Sequence, residues 1–278
     1  MNDANGVSAL SLTARQVVYT NKSFWRNPAS AFFTFAFPLM FLVIFTSLLG
    51  NDETTIPGTD VTVSTSTYYV AAMATFAVIS ACYTNIAIGV SFQRDSGILK
   101  RTRGTPLPGW AYLLGRVVHA MLIALLLVLI TMAFGVAFYG ADVPTGVGLL
   151  RFLVTLLVGS ASFAALGLAL TVAIPNADAS PAIVNASILP LLFISGIFIP
   201  LGNDPPAWMT VIGNVFPVRH FADAMRSGFL ASVFERAHAA NPRVPLSPFD
   251  WGDVLIVGIW GLAGLLIASR FFSWEPRK

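Results

Sequence analysis

AYLLGRVVHAMLIALLLVLITMAFGVAF, residues 111–138, decides what kind of molecule this chain is. Wound as a helix at about 1.5 Å per residue, the stretch is longer than the ~30 Å hydrocarbon layer of a bilayer. Only Arg116 and His119, one turn apart near its start, can carry charge. Hydrocarbon offers the backbone no hydrogen-bond partner, so a segment of this kind satisfies itself as a helix. Working outward, five further apolar runs lie at roughly 31–49, 68–92, 152–174, 182–200 and 253–271. With 56% hydrophobic and 10% charged residues and a mean hydropathy of +0.75, the chain exceeds what a soluble domain tolerates. The expected fold is an all-α, polytopic membrane protein of six transmembrane helices, a single transmembrane domain over 1–278.

None of the 13 acidic residues lies in the interior of a run. A carboxylate in hydrocarbon is costly and usually marks an ion or proton relay; without one, the chain reads as a pathway that lacks its own energy coupling. About thirty mixed residues precede the first run and no small-residue cleavage site follows it, so it is expected to be a retained span rather than a signal peptide. The single cysteine, Cys82, excludes a disulfide framework and a thiolate metal cluster.

Lys and Arg divide unevenly between alternate sides. Arg15, Lys22, Arg26, Arg94, Lys100, Arg101, Arg103, Arg116, Arg270, Arg277 and Lys278 fall on one side, 11 of the 16, and the loop from Gly50 to Thr67 has acids and no base. The positive-inside rule then puts both termini in the cytoplasm of a cell membrane. The net charge of +3 is accounted for by topology, and nucleic acid is not an expected partner.

Residues 8–27 read as a surface helix on the inner headgroups: Leu10, Ala14, Val17, Phe24 and Trp25 share one face, and Arg15, Lys22 and Arg26 another. Pro28 disfavours helix at Asn27, giving a turn into the first span. Between the fifth and sixth spans, 201–250 contains two apolar segments too short to cross, 207–216 and 221–233, separated by Pro217. They predict a re-entrant helical hairpin, followed by an exposed extracytoplasmic loop at 235–248.

Two segments have a more specific character. QRDSGILKRTRGTPLPGW, residues 93–110, is a short basic helix bounded by Gly97 and Pro106 and joined directly to two spans. Residues 189–226 hold Leu189-Pro190, Ser195-Gly196, Pro200, Trp208, Phe216-Pro217, His220 and, at the end, Asp223 and Arg226. Taken with the amphipathic start, Arg26-Asn27-Pro28 and Pro38, this order resembles the type 2 ABC transporter permeases, the membrane subunits of ABC exporters, and the drug-resistance type above all. Members often have a glutamate at the head of the cytoplasmic helix, where this chain has Gln93.

The resemblance implies a homodimer, or a pair of related permeases, clasped by two ATP-binding subunits. No Gly-x-x-x-x-Gly-Lys-Ser/Thr loop is present, so ATP and Mg are expected on the partner ATPase, and the chain itself is expected to be no enzyme and to hold no cofactor or metal. The implied coupling surface comprises Arg15, Lys22, Arg26, Gln93, Arg94, Asp95, Gly97, Lys100, Arg101, Arg103 and Pro106. Expected cargo is hydrophobic or amphipathic, drug-like or lipid-like, moved out of a bacterial cell; lipid, glycolipid and polysaccharide exporters share the frame.

Within the spans, Tyr83, Thr84, Asn85, Asn185 and Ser187 are either path-lining groups or interhelical hydrogen-bond partners, because an amide in hydrocarbon needs one or the other. Arg116 and His119 read as headgroup snorkellers. Asp223 and Arg226 are spaced for an ion pair that holds the hairpin. Ala161/Ala165/Ala169 and Gly258/Gly261/Gly264 form small-residue stripes suited to close helix packing. An ATP-independent channel or secondary transporter lacks the buried carboxylates or inverted repeat expected of it, and an intramembrane enzyme lacks any metal or nucleophile constellation among His119, His220 and His238.

Overall fold

The computed structural model describes residues 9–50, 52–56, 61–105, 107–201, 204–244 and 249–275. Pro106, Asp60, residue 8, Arg277, Lys278 and 245–248 of the expected loop lie outside them. Helix α1 (Ala9–Trp25) precedes α2 (Pro28–Leu49), the first expected span. A ribbon of two three-residue antiparallel strands, β1 (Glu53–Thr55) and β2 (Thr62–Ser64), follows with Thr54 opposite Val63. The second span is one continuous helix, α3 (Thr65–Ile79), a π-helical turn at Ser80–Thr84, and α4 (Asn85–Asp95). Its start is fixed by Ser64, whose side chain accepts from the Thr67 amide at 3.3 Å, a satisfied orphan donor of the first turn.

Then come α5 (Ile98–Arg103), α6 (Gly109–Tyr139), α7 (Gly146–Leu170), α8 (Ser180–Ile194), α9 (Ala207–Val215), α10 (Pro217–Phe229), α11 (Ala231–Ala240) and α12 (Trp251–Phe271). Among the described residues five helices are long and apolar enough to cross a membrane: 31–49 of α2, the continuous helix 65–95, α6, α7 and α12. The run at 182–200 differs from its expected length. Its helix stops at Ile194 after 15 residues, and Gly196, at a positive φ of 72°, turns the chain.

The continuous second helix is the centre of the bundle, 67% of its most apolar window being buried, whereas α2 at 17% is peripheral. Close packing is achieved with glycine, where a Cβ would collide with a neighbour. At Gly261 of α12 it would stand 2.3 Å from Ser162 Oγ of α7, at Gly264 3.0 Å from the Leu166 backbone nitrogen, and at Gly167 2.7 Å from the Tyr83 carbonyl beside the π turn. The glycine stripe of α12 and the face of α7 that includes Ala165 are therefore joined to each other within one chain, which is dispersion-driven packing through backbone approach.

The segment that contains α8 is tied at opposite ends of the second helix. At its start, Arg94 and Asp95 hold residues 171–177; at its end, the Tyr68 and Tyr69 hydroxyls donate to the carbonyls of Gly196 and Phe198 at 3.1 and 3.3 Å. The α9–α10 segment bends at Phe216, and its α10 lies beside α7 and α12. Its corner is held by Trp260, which donates to the Val215 carbonyl at 3.1 Å, nine residues into α12, or about 14 Å. Phe221 lies on Gly159, where a Cβ would be 2.0 Å from its ring.

Candidate functional site

One end of the bundle collects α1, α5, the end of α12 and most of the described basic residues. Helix α1 has three faces. Thr13, Gln16, Thr20 and Phe24 turn toward α6; Ala14, Val18 and Trp25 are exposed; Arg15, Lys22 and Arg26 form an exposed basic edge. The buried face is thus centred one position round from the apolar stripe read in the sequence, because Gly115 of α6 lets Gln16 approach to 2.6 Å of where a Cβ would be. A helix so divided fits a boundary where protein, lipid and water meet.

The turn into α5 is made at Gly97, whose φ of 71° suits glycine and strains any other residue. Leu99 is fully buried and anchors the helix, leaving Lys100, Arg101 and Arg103 outward. Gln93 accepts a hydrogen bond from the Tyr112 hydroxyl. Arg94, grouped with the coupling surface from sequence, is turned inward and only 2% exposed. Its Nη1 donates to the Thr171 carbonyl at 3.0 Å, its Nη2 to Ile174 and Pro175 at 2.9 and 3.3 Å, and its Nε to Asp95 at 3.1 Å. Asp95 in turn accepts from the Ala177 amide. The pair closes the end of α7 and starts α8.

Along the side of the bundle, between α2, the second helix and α8, runs an open groove of about 750 Å³. Among the described residues no charged one lines it. Its walls are Phe33, Phe37, Phe41 and Phe45 of α2, with Phe76, Phe193 and Phe198 opposite, and its polar floor is Ser80, Thr84, Asn85 and Asn185. Phe41 and Phe198 stand 5.3 Å apart between centroids, and Phe45 stacks on Tyr69 at 4.9 Å. Of the expected path residues, Thr84, Asn85 and Asn185 are brought together here. Tyr83 and Ser187 are instead bonded to each other, hydroxyl to hydroxyl, at 2.8 Å. Asn185 is exposed on α8. The phenylalanine ladder was not singled out from sequence; its signal was the spacing of four residues from Phe33 to Phe45.

At the opposite end, the hairpin residues converge. Gly196 offers its carbonyl to Tyr68 and to Arg226 Nη2 at 3.3 Å. Arg226 also pairs with Asp223 at 3.0 Å and lies over the Tyr68 ring at 4.9 Å, and Arg219 approaches the same carboxylate at 3.6 Å. Buried Ser195 donates to the Leu192 carbonyl at 2.9 Å. Pro217 opens α10 and is buried, Pro200 is half-buried, and Trp208 is exposed. His220 bonds Asp253 of α12 at 2.6 Å and the Asn214 carbonyl at 3.0 Å. Burial pushes the His220 imidazole down, but these two acceptors outweigh it and the net shift is upward. The two acids packed among the helices here, Asp223 and Asp253, each have a basic partner, so neither stands as an unpaired ion handle. Among the described residues no cluster of metal-ligating side chains is present.

A bundle whose long apolar helices can cross a bilayer, with an aromatic groove along its side, defines the class as a multi-pass membrane protein. The comparison with protein families narrows it. Residues 11–230 match the ABC-2 type transporter family, and the chain belongs to that family. It is similar to the probable multidrug ABC transporter permease YbhR of Escherichia coli K12, and to its counterpart in strain O157:H7, at 25% identity over 144 residues. The match covers 52% of this chain and 38% of each relative.

Proposed function

We propose that the chain is the membrane subunit of an ATP-driven exporter that moves hydrophobic or amphipathic compounds out of a bacterial cell, in a pair of permeases with two ATP-binding subunits. The observation that carries this reading is the groove: aromatic walls and a neutral amide floor favour cargo with little or no charge. Exposed Asn185 adds to it. An amide facing lipid without a partner costs on the order of 1–3 kcal/mol, so this face of α8 calls for protein or water against it. A second copy placed over α2 and α8 meets that need and converts the groove into an enclosed path.

On the same reading, residues 175–198 make a sixth crossing, since they connect the two ends of the second helix, and α9 and α10 form a hairpin that re-enters the outer leaflet, the cell-membrane termini being cytoplasmic. Exposed Arg15, Lys22 and Arg26 of α1, with Lys100, Arg101 and Arg103 of α5, form the surface on which the ATPases act; Arg94 positions that surface from inside. ATP and Mg belong to those partners. Closure would be transmitted through α5 to the second and third spans, which requires a bistable packing. The open side of the groove also fits a lipid-like cargo entering from the leaflet, so lipid or glycolipid export is the second reading.

Transport by proteoliposomes containing the chain and its ATPase tests this. Asn85→Leu and Asn185→Leu are expected to change the ranking of amphipathic compounds that stimulate ATP hydrolysis, with expression near wild type. Unchanged ranking, or loss of folding alone, would show the amides to be structural.

A further inference from the structure

A second cleft, about 200 Å³ in volume, lies between α1, the second helix and α6. Its mouth is polar, with Ser23, Asn27, Gln93 and Arg116; its inner end is mainly apolar, with Ala81, Ile86, Ala120 and Ile123 around the Asn85 amide. His119 borders it with 7% exposure, and its buried Nε2 has no hydrogen-bond partner among the described residues. Arg116 reaches across toward Gly89, where an added Cβ would meet its Nη2 at 3.0 Å. Among the described residues no carboxylate pairs with this guanidinium, and none lines the cleft.

Arg116 stands seven residues into α6, about 10 Å from the start of the helix. The polar layer of a bilayer is about 5–7 Å thick on each side of its ~30 Å core; with the start of α6 set at the outer edge of that layer, the guanidinium falls near the boundary of headgroups and chains. A cation there, held next to an unsatisfied imidazole, needs a polyoxygen anion with both charge and acceptors, and charge-assisted bonds from Arg to phosphate are among the strongest. The inner end offers a small hydrated ion only the Asn85 amide in place of its water, which disfavours such an ion as the occupant.

We propose that this cleft binds the phosphate headgroup of an anionic phospholipid from the leaflet on the basic side, with Arg116 and His119 at the phosphate and the start of an acyl chain against Ala120 and Ile123. The lipid would join α1 to the second and third spans. Asn85 lines both this cleft and the aromatic groove, so occupancy of one bears on the floor of the other. The site does not depend on the direction of transport or on the cargo.

The test is native mass spectrometry of the purified chain in mild detergent, titrated with phosphatidylglycerol, phosphatidylcholine and inorganic phosphate. Expected is a saturable phosphatidylglycerol adduct, preferred at least tenfold over phosphatidylcholine, reduced about tenfold by Arg116→Gln and retained by Arg116→Lys. Equal binding of the two lipids by the wild type, or equal retention in wild type and Arg116→Gln, would overturn the proposal. So would inorganic phosphate competing at the lipid's own concentration, since that indicates an anion pocket without use for the chain. If Arg116→Gln yields no folded protein, the decision rests on the wild-type lipid preference and on Arg116→Lys, whose loss of preference would count against the charge.

Discussion

Replacing Arg94 by Met separates a structural clasp from an ATPase contact. The guanidinium is 2% exposed and donates to three carbonyls, those of Thr171, Ile174 and Pro175, besides pairing with Asp95. A hydrogen bond from a charged donor contributes about 1.5–3 kcal/mol, and deleting one partner of a buried pair costs about 3–5 kcal/mol because the other is left uncompensated. These figures overlap rather than add, since Asp95 keeps the Ala177 amide and water reaches its part-exposed side. The expected loss for Arg94→Met is therefore about 3–4 kcal/mol. Arg94→Lys, a point donor unable to fork over two carbonyls, should lose about half of that. The assay is thermal unfolding in detergent without any ATPase. A wild-type melting curve for Arg94→Met, together with lost ATPase binding, would refute the inward clasp and restore Arg94 to the docking surface.

Gly159→Ala should destabilise the chain by about 1–3 kcal/mol, read in the same unfolding assay, because its Cβ would fall 2.0 Å from the Phe221 ring and the hairpin would have to move. Gly97→Val is expected to cost about 1–2 kcal/mol through its φ of 71° alone, since no atom lies within 4 Å of an added Cβ; its larger effect should be on ATP-stimulated transport, so intact coupling would exclude α5 as the lever. His220 titrates above its usual value in the folded chain. Its contribution to stability is then fully present below the unfolded value near 6.5 and is lost as pH rises through the folded one. Melting temperature should fall on going from mildly acidic to mildly alkaline pH in wild type and respond less in His220→Gln; parallel curves would remove the pairing with Asp253.

The spans were legible because burial in lipid demands apolar length, and helices 65–95, 109–139, 146–170 and 251–271 extend the predicted runs by only a few residues or shift them. Three features were not. The end of α8 at Ile194 is decided by Gly196 and by the tyrosine hydroxyls of Tyr68 and Tyr69, a tertiary contact from more than a hundred residues away. The π turn at Ser80–Thr84 leaves no mark in hydropathy; it coincides with the approach of Gly167 to the Cys82 and Tyr83 carbonyls. Arg94 lies in a run of bases that charge counting assigns to solvent, and only the loop at 171–177 gives it inward partners. Of the expected path residues, the asparagines were identifiable by the cost of an amide in hydrocarbon, while the Tyr83–Ser187 bond needed the fold to be seen.

Energy supply is the central question, since among the described residues no charged group lines the groove and Asp223 and Asp253 are paired. The decisive measurement is uptake of an amphipathic fluorescent compound into sealed vesicles that contain the purified chain, with and without its ATPase partner and ATP. Accumulation against a gradient only when the ATPase hydrolyses ATP is the predicted result. Accumulation by the chain alone, driven by a proton or sodium gradient, would contradict it.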